Sequence, residues 1–142
     1  MKIIGLVCLT LFFVSCDTNK LSETPMQQFV GTWVAKDRPL IDGVQFEIAE
    51  KDGALEGRIL RLNDNKLVDL FSSEGDVLIS EITRKSNFQF TVKEKHVAAS
   101  LFSTYDLPSS EELTAEFHGK NEIWLGKNGI DGKYVRAAKS QR

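Results

Sequence analysis

His96 and His118 are the two histidines of the chain, and each stands at the edge of a predicted strand beside a turn or loop. A metal site would need both to converge with a carboxylate such as Glu94 or Glu116, because zinc takes several N, O or S ligands in a fixed tetrahedron. Nothing in the spacing enforces that, so both read as surface histidines. Asn63-Asp64-Asn65 starts like a calcium loop, but Lys66 and Leu67 follow where oxygen ligands and a glycine are required. It reads as a turn. Gly126-Lys127 lacks the upstream glycine and the following Ser or Thr of a phosphate loop, and reads as a hairpin connection. Ser72, Ser73, Ser100, Ser109 and Ser110 lie outside any Gly-x-Ser-x-Gly elbow. Glu111 and Glu112 are adjacent, so a strand would point them to opposite faces. The expectation is a protein without catalysis, metal or cofactor; an enzyme with His96 or His118 as base ranks last.

The two cysteines lead to the N-terminal segment. Lys2 precedes an apolar run from Ile3 to Val14, shorter than the roughly 20 residues that span a bilayer as a helix. This pattern predicts a secretory signal peptide. Phe13-Val14-Ser15-Cys16 and the polar stretch that begins at Asp17 resemble the bacterial lipoprotein lipobox, in which the cysteine becomes the acylated first residue. The resemblance implies a signal peptide over 1–15, lipidation at Cys16 and a polar tether over 16–24. Cys8 would be discarded and Cys16 consumed as a thioether, leaving no thiol for a disulfide, a zinc site or a nucleophile. Acyl chains contribute about 0.8 kcal/mol per buried methylene, enough when several are attached to hold the domain at a membrane. The expected location is the cell envelope, after export from the cytoplasm, with inner and outer membrane left open.

Residues 25–142 make the folded domain. The chain has 142 residues, 42% of them hydrophobic and 27% charged, with a formal net charge of -2. A chain of this size buries enough surface to fold as one domain without staples. The clustered Lys/Arg field that nucleic-acid binding needs is missing.

Thr24-Pro25-Met26-Gln27 predicts one short helical turn, with Thr24 as its N-cap. Period-two alternation with turn signals every eight to twelve residues then argues for an antiparallel meander. Strands are expected at 29–35, 44–49, 54–62, 77–84, 87–93 (Phe88, Phe90 and Val92 inward), 97–104, 113–117, 122–126 and 133–137. Asp52-Gly53 is the strongest hairpin signal, because both residues tolerate positive φ. Gly57 could supply a bend in the returning strand. The fold class is therefore all-β, an up-and-down barrel of about eight or nine strands, with a two-sheet sandwich as the alternative. Segments 36–42 and 105–111 are loop candidates at the barrel mouth.

Gln28-Phe29-Val30-Gly31-Thr32-Trp33 resembles the opening of the calycin superfamily, a short helix and then Gly-x-Trp entering the first strand, as in lipocalins, fatty-acid-binding proteins and avidins. The resemblance implies that Trp33 sits at the closed end of a barrel under an Arg from the final strand. Arg136 is placed to be that residue, forming a structural clamp worth roughly 0.5 to 2 kcal/mol. The start is also similar to avidins, but with Trp33 and Trp124 as the two tryptophans the biotin pocket is not matched.

The apolar interior offers Phe46, Ile48, Ile59, Phe88, Phe90, Leu101, Leu113 and Phe117 as candidate ligand contacts. Barrels of this strand number sit at the boundary between filled and hollow, so these side chains could line a cavity or form a solid core. Two functions are expected from the two cases. One is an anchored lipocalin-like protein that binds a small apolar ligand at the envelope. The other is an interaction or inhibitor module with a filled barrel, recognised by an exposed apolar patch around Phe71, Phe102 and Tyr105 in contact with an envelope protein.

Overall fold

The computed structural model describes residues 23–138. The expected signal segment, Cys16 and the tether as far as residue 22 lie outside the described residues. Eight strands run alternately up and down around a closed barrel: β1 (Gly31–Lys36), β2 (Gln45–Lys51), β3 (Ala54–Arg61), β4 (Val77–Arg84), β5 (Gln89–Lys95), β6 (Ser110–His118), β7 (Glu122–Leu125) and β8 (Lys133–Arg136). Each pairs antiparallel with the next, and β8 closes on β1 with Trp33 opposite Arg136 and Ala35 opposite Tyr134. Closure leaves no unpaired edge, which a two-sheet sandwich would.

Alternation is the cause of the fold. In β2, Phe46 and Ile48 are buried while Glu47 and Ala49 are exposed. In β5, Phe90, Val92 and Glu94 share the buried phase and Lys93 and Lys95 face solvent. A single core gathers Phe29, Trp33, Phe46, Ile48, Ile59, Phe90, Val92, Leu113, Ile123 and Tyr134, with Phe117 packed against it. Fully burying each large apolar side chain contributes about 1.5–3 kcal/mol. Three aromatic rings interlock near the N-terminal end, where Phe29 meets Phe90 edge-on at 4.9 Å and Phe117 at 4.6 Å.

The two ends differ. Tight turns join β2 to β3, β4 to β5 and β6 to β7 at the closed end. Asp52 (φ 52°) and Gly53 (φ 81°) make the first of them, with the two positive φ angles that a type I′ hairpin requires. The longer connections 37–44, 62–76, 96–109 and 126–132 all lie at the opposite end and form the mouth. Two of them carry short helices, α1 (Lys66–Phe71) and α2 (Ala99–Thr104).

Three expectations are corrected. Segment 97–104 is the helix α2 and its approach, not a strand, so the barrel has eight strands. Ala-Ala-Ser-Leu has no period-two pattern and good helix formers, and Ala98 at φ 60° turns the chain into the helix. Leu101 consequently sits on α2, 44% exposed, outside the barrel. Phe88 is 50% exposed and not inward, because it belongs to the turn before β5, where Ser86 Oγ accepts hydrogen bonds from the Phe88 and Gln89 amides. Thr24 does not cap the first turn. That turn is a 3-10 helix over Met26–Phe29 preceded by Pro25, and the Thr24 amide donates to Asn87 O.

Gly57 accommodates close packing where the β3–β4 register shifts. A Cβ there would lie 2.9 Å from Ile79 Cβ.

Candidate functional site

The mouth is built around one buried ionic cluster. Glu94 follows Phe90 and Val92 in the inward phase of β5, so the alternation that makes the core also drives a carboxylate into it; Glu94 is 4% exposed. Tyr134 is fully buried in the inward phase of β8, edge-on to Phe46 at 4.9 Å, and its hydroxyl donates to Glu94 Oε2. Arg38 comes from the 37–44 connection and lays its guanidinium across the barrel end. Its Nη2 donates to Glu94 Oε1 and to Glu111 Oε1 (2.9 Å), and its Nη1 donates to Asp131 O (2.7 Å). The Arg38 Nε is enclosed without a protein partner.

The local chain is shaped to deliver Arg38. Asp37 (φ 56°) and Leu40 (φ 66°) take left-handed conformations that reverse the chain. Asn63 ties the loop to its neighbour by donating to Leu40 O and Asp42 O at 2.6 and 2.8 Å. Gly132 (φ 97°) lets the β7–β8 connection pass, since a Cβ there would lie 2.6 Å from Asp37 O and 2.8 Å from Arg38 Cδ.

The charges are mutually dependent. Burial alone would lower the Arg38 pKa, but the charge and hydrogen bond of Glu94, with further help from Glu111 and Tyr134, leave it above the ordinary value. Burial, then the adjacent Glu94 charge and hydrogen bond, pushes the Tyr134 phenol well above 10.0. A phenol whose folded pKa is raised contributes stability that is complete below the unfolded pKa and lost as pH rises through the folded one. The protein is therefore expected to lose stability above about pH 10 through this group. Urea unfolding at pH 8 and at pH 10.5 should show a larger alkaline loss in the native sequence than in Tyr134→Phe. Equal losses would mean that Tyr134 is not sealed in the core.

Two clefts open at the mouth beside this cluster. The first, about 380 Å³, lies between α1 and α2 with Ile41, Ile59, Val68, Leu78 and Val97 among its walls. The second, about 440 Å³, runs over Arg38, Glu94 and Glu111. Ile41, Lys95, His96 and Val97 border both, so the two adjoin.

Of the ligand contacts expected from sequence, Ile59 reaches a mouth cleft. Phe46, Ile48, Phe90 and Leu113 are buried in the core, and Phe117 packs at the closed end. Phe88 and Leu101 lie outside the barrel. His96 stacks on Phe102 at 5.1 Å, and His118 stacks on Trp124 at 3.9 Å, far apart in the topology. Arg38, Glu94 and Tyr134 were not expected as a unit. Glu94 could have been found from its inward phase, since a carboxylate there demands a buried partner; Arg38 left no local signal.

At the closed end, the Arg136 Cζ lies 4.2 Å from the centre of a Trp33 ring. Arg136 also donates to Gln28 O (2.8 Å), Val30 O (3.1 Å) and Lys120 O (3.2 Å), and Trp33 Nε1 donates to Phe29 O (2.7 Å). Gly31 (φ 137°) is needed beneath it, because a Cβ there would lie 2.5 Å from Arg136 Nη1.

A closed eight-stranded antiparallel meander with tight turns at one end and long connections at the other is an all-β barrel compatible with a lipocalin-like fold. Comparison with protein-family models, curated proteins and solved structures finds no match.

Proposed function

We propose that the chain is a membrane-anchored, lipocalin-like binding protein of the bacterial cell envelope that takes a small apolar ligand at its mouth. The anchor rests on Lys2, the apolar run to Val14 and Cys16. The observation that carries the binding reading is the cleft between α1 and α2, where the upper-core side chains Ile41, Val44, Ile59, Val68 and Leu78 stand open at the barrel end beside polar ones, Arg58, Asp76, Lys95 and His96. Concave surface that joins apolar walls to fixed polar groups is what small-molecule sites share. The ligand lies at the mouth because large side chains occupy the barrel below it.

Titration of the purified protein with N-phenyl-1-naphthylamine, a neutral apolar fluorophore, tests this. Saturable binding is expected, weakened at least about tenfold by Ser100→Trp, which fills the cleft from an exposed position and loses about 1.4 kcal/mol of binding. Binding that is absent, or unchanged by Ser100→Trp, overturns the reading.

One observation favours a second reading, an interaction module. All four mouth connections present an exposed large apolar residue: Leu40, Leu70, Tyr105 and Ile130, the last 82% exposed. Clustered apolar exposure marks interaction surfaces. A stoichiometric protein partner lost on Leu70→Asp or Ile130→Asp, without loss of the fluorophore site, would favour it.

A further inference from the structure

We infer that the ligand of the mouth carries a cationic head on its apolar body, an alkylammonium type of molecule. This rests on the mouth-binding reading above and names the ligand class. The two clefts adjoin along Ile41, Lys95, His96 and Val97, so one elongated molecule can lie in both, its head past Lys95 on the Glu111 side. Their linings differ in chemistry. The first sets the core aliphatics Ile41, Val44, Ile59, Val68 and Leu78 beside two cations, Arg58 and Lys95, and one carboxylate, Asp76. The second has four carboxylates, Asp37, Glu94, Glu111 and Asp131, against two cations, Arg38 and Lys95.

Arg38 looks at first like an anchor for a ligand carboxylate, but its charge is already matched. It faces Glu94 and Glu111, its Nη1 is used by Asp131 O, and its Nε is enclosed. An anionic head would therefore meet surplus negative charge. An ammonium head would meet Glu111, which is 43% exposed and uses Oε1 for Arg38, with Asp37 exposed on the rim. Opposite charges a few ångströms apart at a partly screened site favour association by amounts that decide specificity.

The test is displacement of bound N-phenyl-1-naphthylamine by dodecylammonium, dodecanol and dodecanoate, each below its micellar concentration, at neutral pH and low salt. Dodecylammonium should displace the probe at least about tenfold more tightly than dodecanoate, a difference of about 1.4 kcal/mol. The preference should fall to about threefold or less in Glu111→Gln, and Asp37→Asn should reduce it without touching the cluster. Equal or better displacement by dodecanoate or dodecanol overturns the head-group inference and leaves the cleft reading standing. So does a preference that both variants leave intact. Failure of the fluorophore itself to bind removes the cleft reading, and the inference with it.

Discussion

Arg38→Ala is expected to destabilise the protein by about 3–5 kcal/mol, the range for removing one partner of a buried ion pair. The loss comes less from the missing attraction than from what remains. Glu94 is 4% exposed, and without Arg38 it keeps the Tyr134 hydroxyl as its hydrogen-bond donor and no opposing charge in contact. Against a domain stability of about 5–15 kcal/mol such a loss is large. Replacing the whole cluster behaves differently, because the desolvation cost disappears with the charges. Arg38→Met, Glu94→Leu and Tyr134→Phe together should recover most of the loss. Urea denaturation of the two proteins measures both. An Arg38→Ala variant within about 0.5 kcal/mol of the native sequence would mean that the 37–44 connection stands open in solution and Glu94 is hydrated there. The same latch bears on the mouth. The guanidinium ties the β1–β2 connection to β5, β6 and the β7–β8 connection, so its loss should also speed amide exchange in residues 37–44.

The barrel was legible because period two is a strong signal wherever one face of a strand is buried. Phe46 and Ile48 against Glu47 and Ala49 place β2 and its inner face, and Asp52-Gly53 places its hairpin. The signal failed where it was weak or local chemistry overrode it. Segment 97–104 is apolar without alternating, and it is a helix. Phe88 continues the phase of Phe90 and Val92 but falls beyond the strand end, in a turn set by Ser86. α1 is hidden in the sequence because Asn63-Asp64-Asn65 has the composition of a turn, although Asn65 caps the helix by accepting from the Leu67 amide at 2.9 Å. The mouth cluster was half legible. Glu94 and Tyr134 sit in the inward phases of their strands, whereas Arg38 meets Glu94 through a contact 56 positions apart, made only when the barrel closes. A loop residue whose partner is fixed by closure has no local pattern to betray it.

Trp33→Ala should cost about 3–5 kcal/mol, the range for truncating a buried aromatic, with the loss of the Arg136 contact adding to it. Trp33 is fully buried, and its indole N–H is satisfied by Phe29 O. Above it the Arg136 guanidinium covers the ring and collects carbonyls from the N-terminal turn and from the β6–β7 turn. Arg136→Ala removes that cover from a half-buried position where water can take over the carbonyls, so about 1–2 kcal/mol is expected. Arg136→Lys should restore little of it, because an ammonium lacks the planar fork that stacks on the ring while donating to several carbonyls. Denaturant midpoints rank the three variants, and Arg136→Ala proving as costly as Trp33→Ala would mean that carbonyl capping outweighs ring burial. The closed end is separated from the mouth by the length of a packed barrel. In folded Arg136→Ala the affinity for N-phenyl-1-naphthylamine should therefore stay within about twofold of the native value, whereas a larger change would show that the two ends respond as one unit.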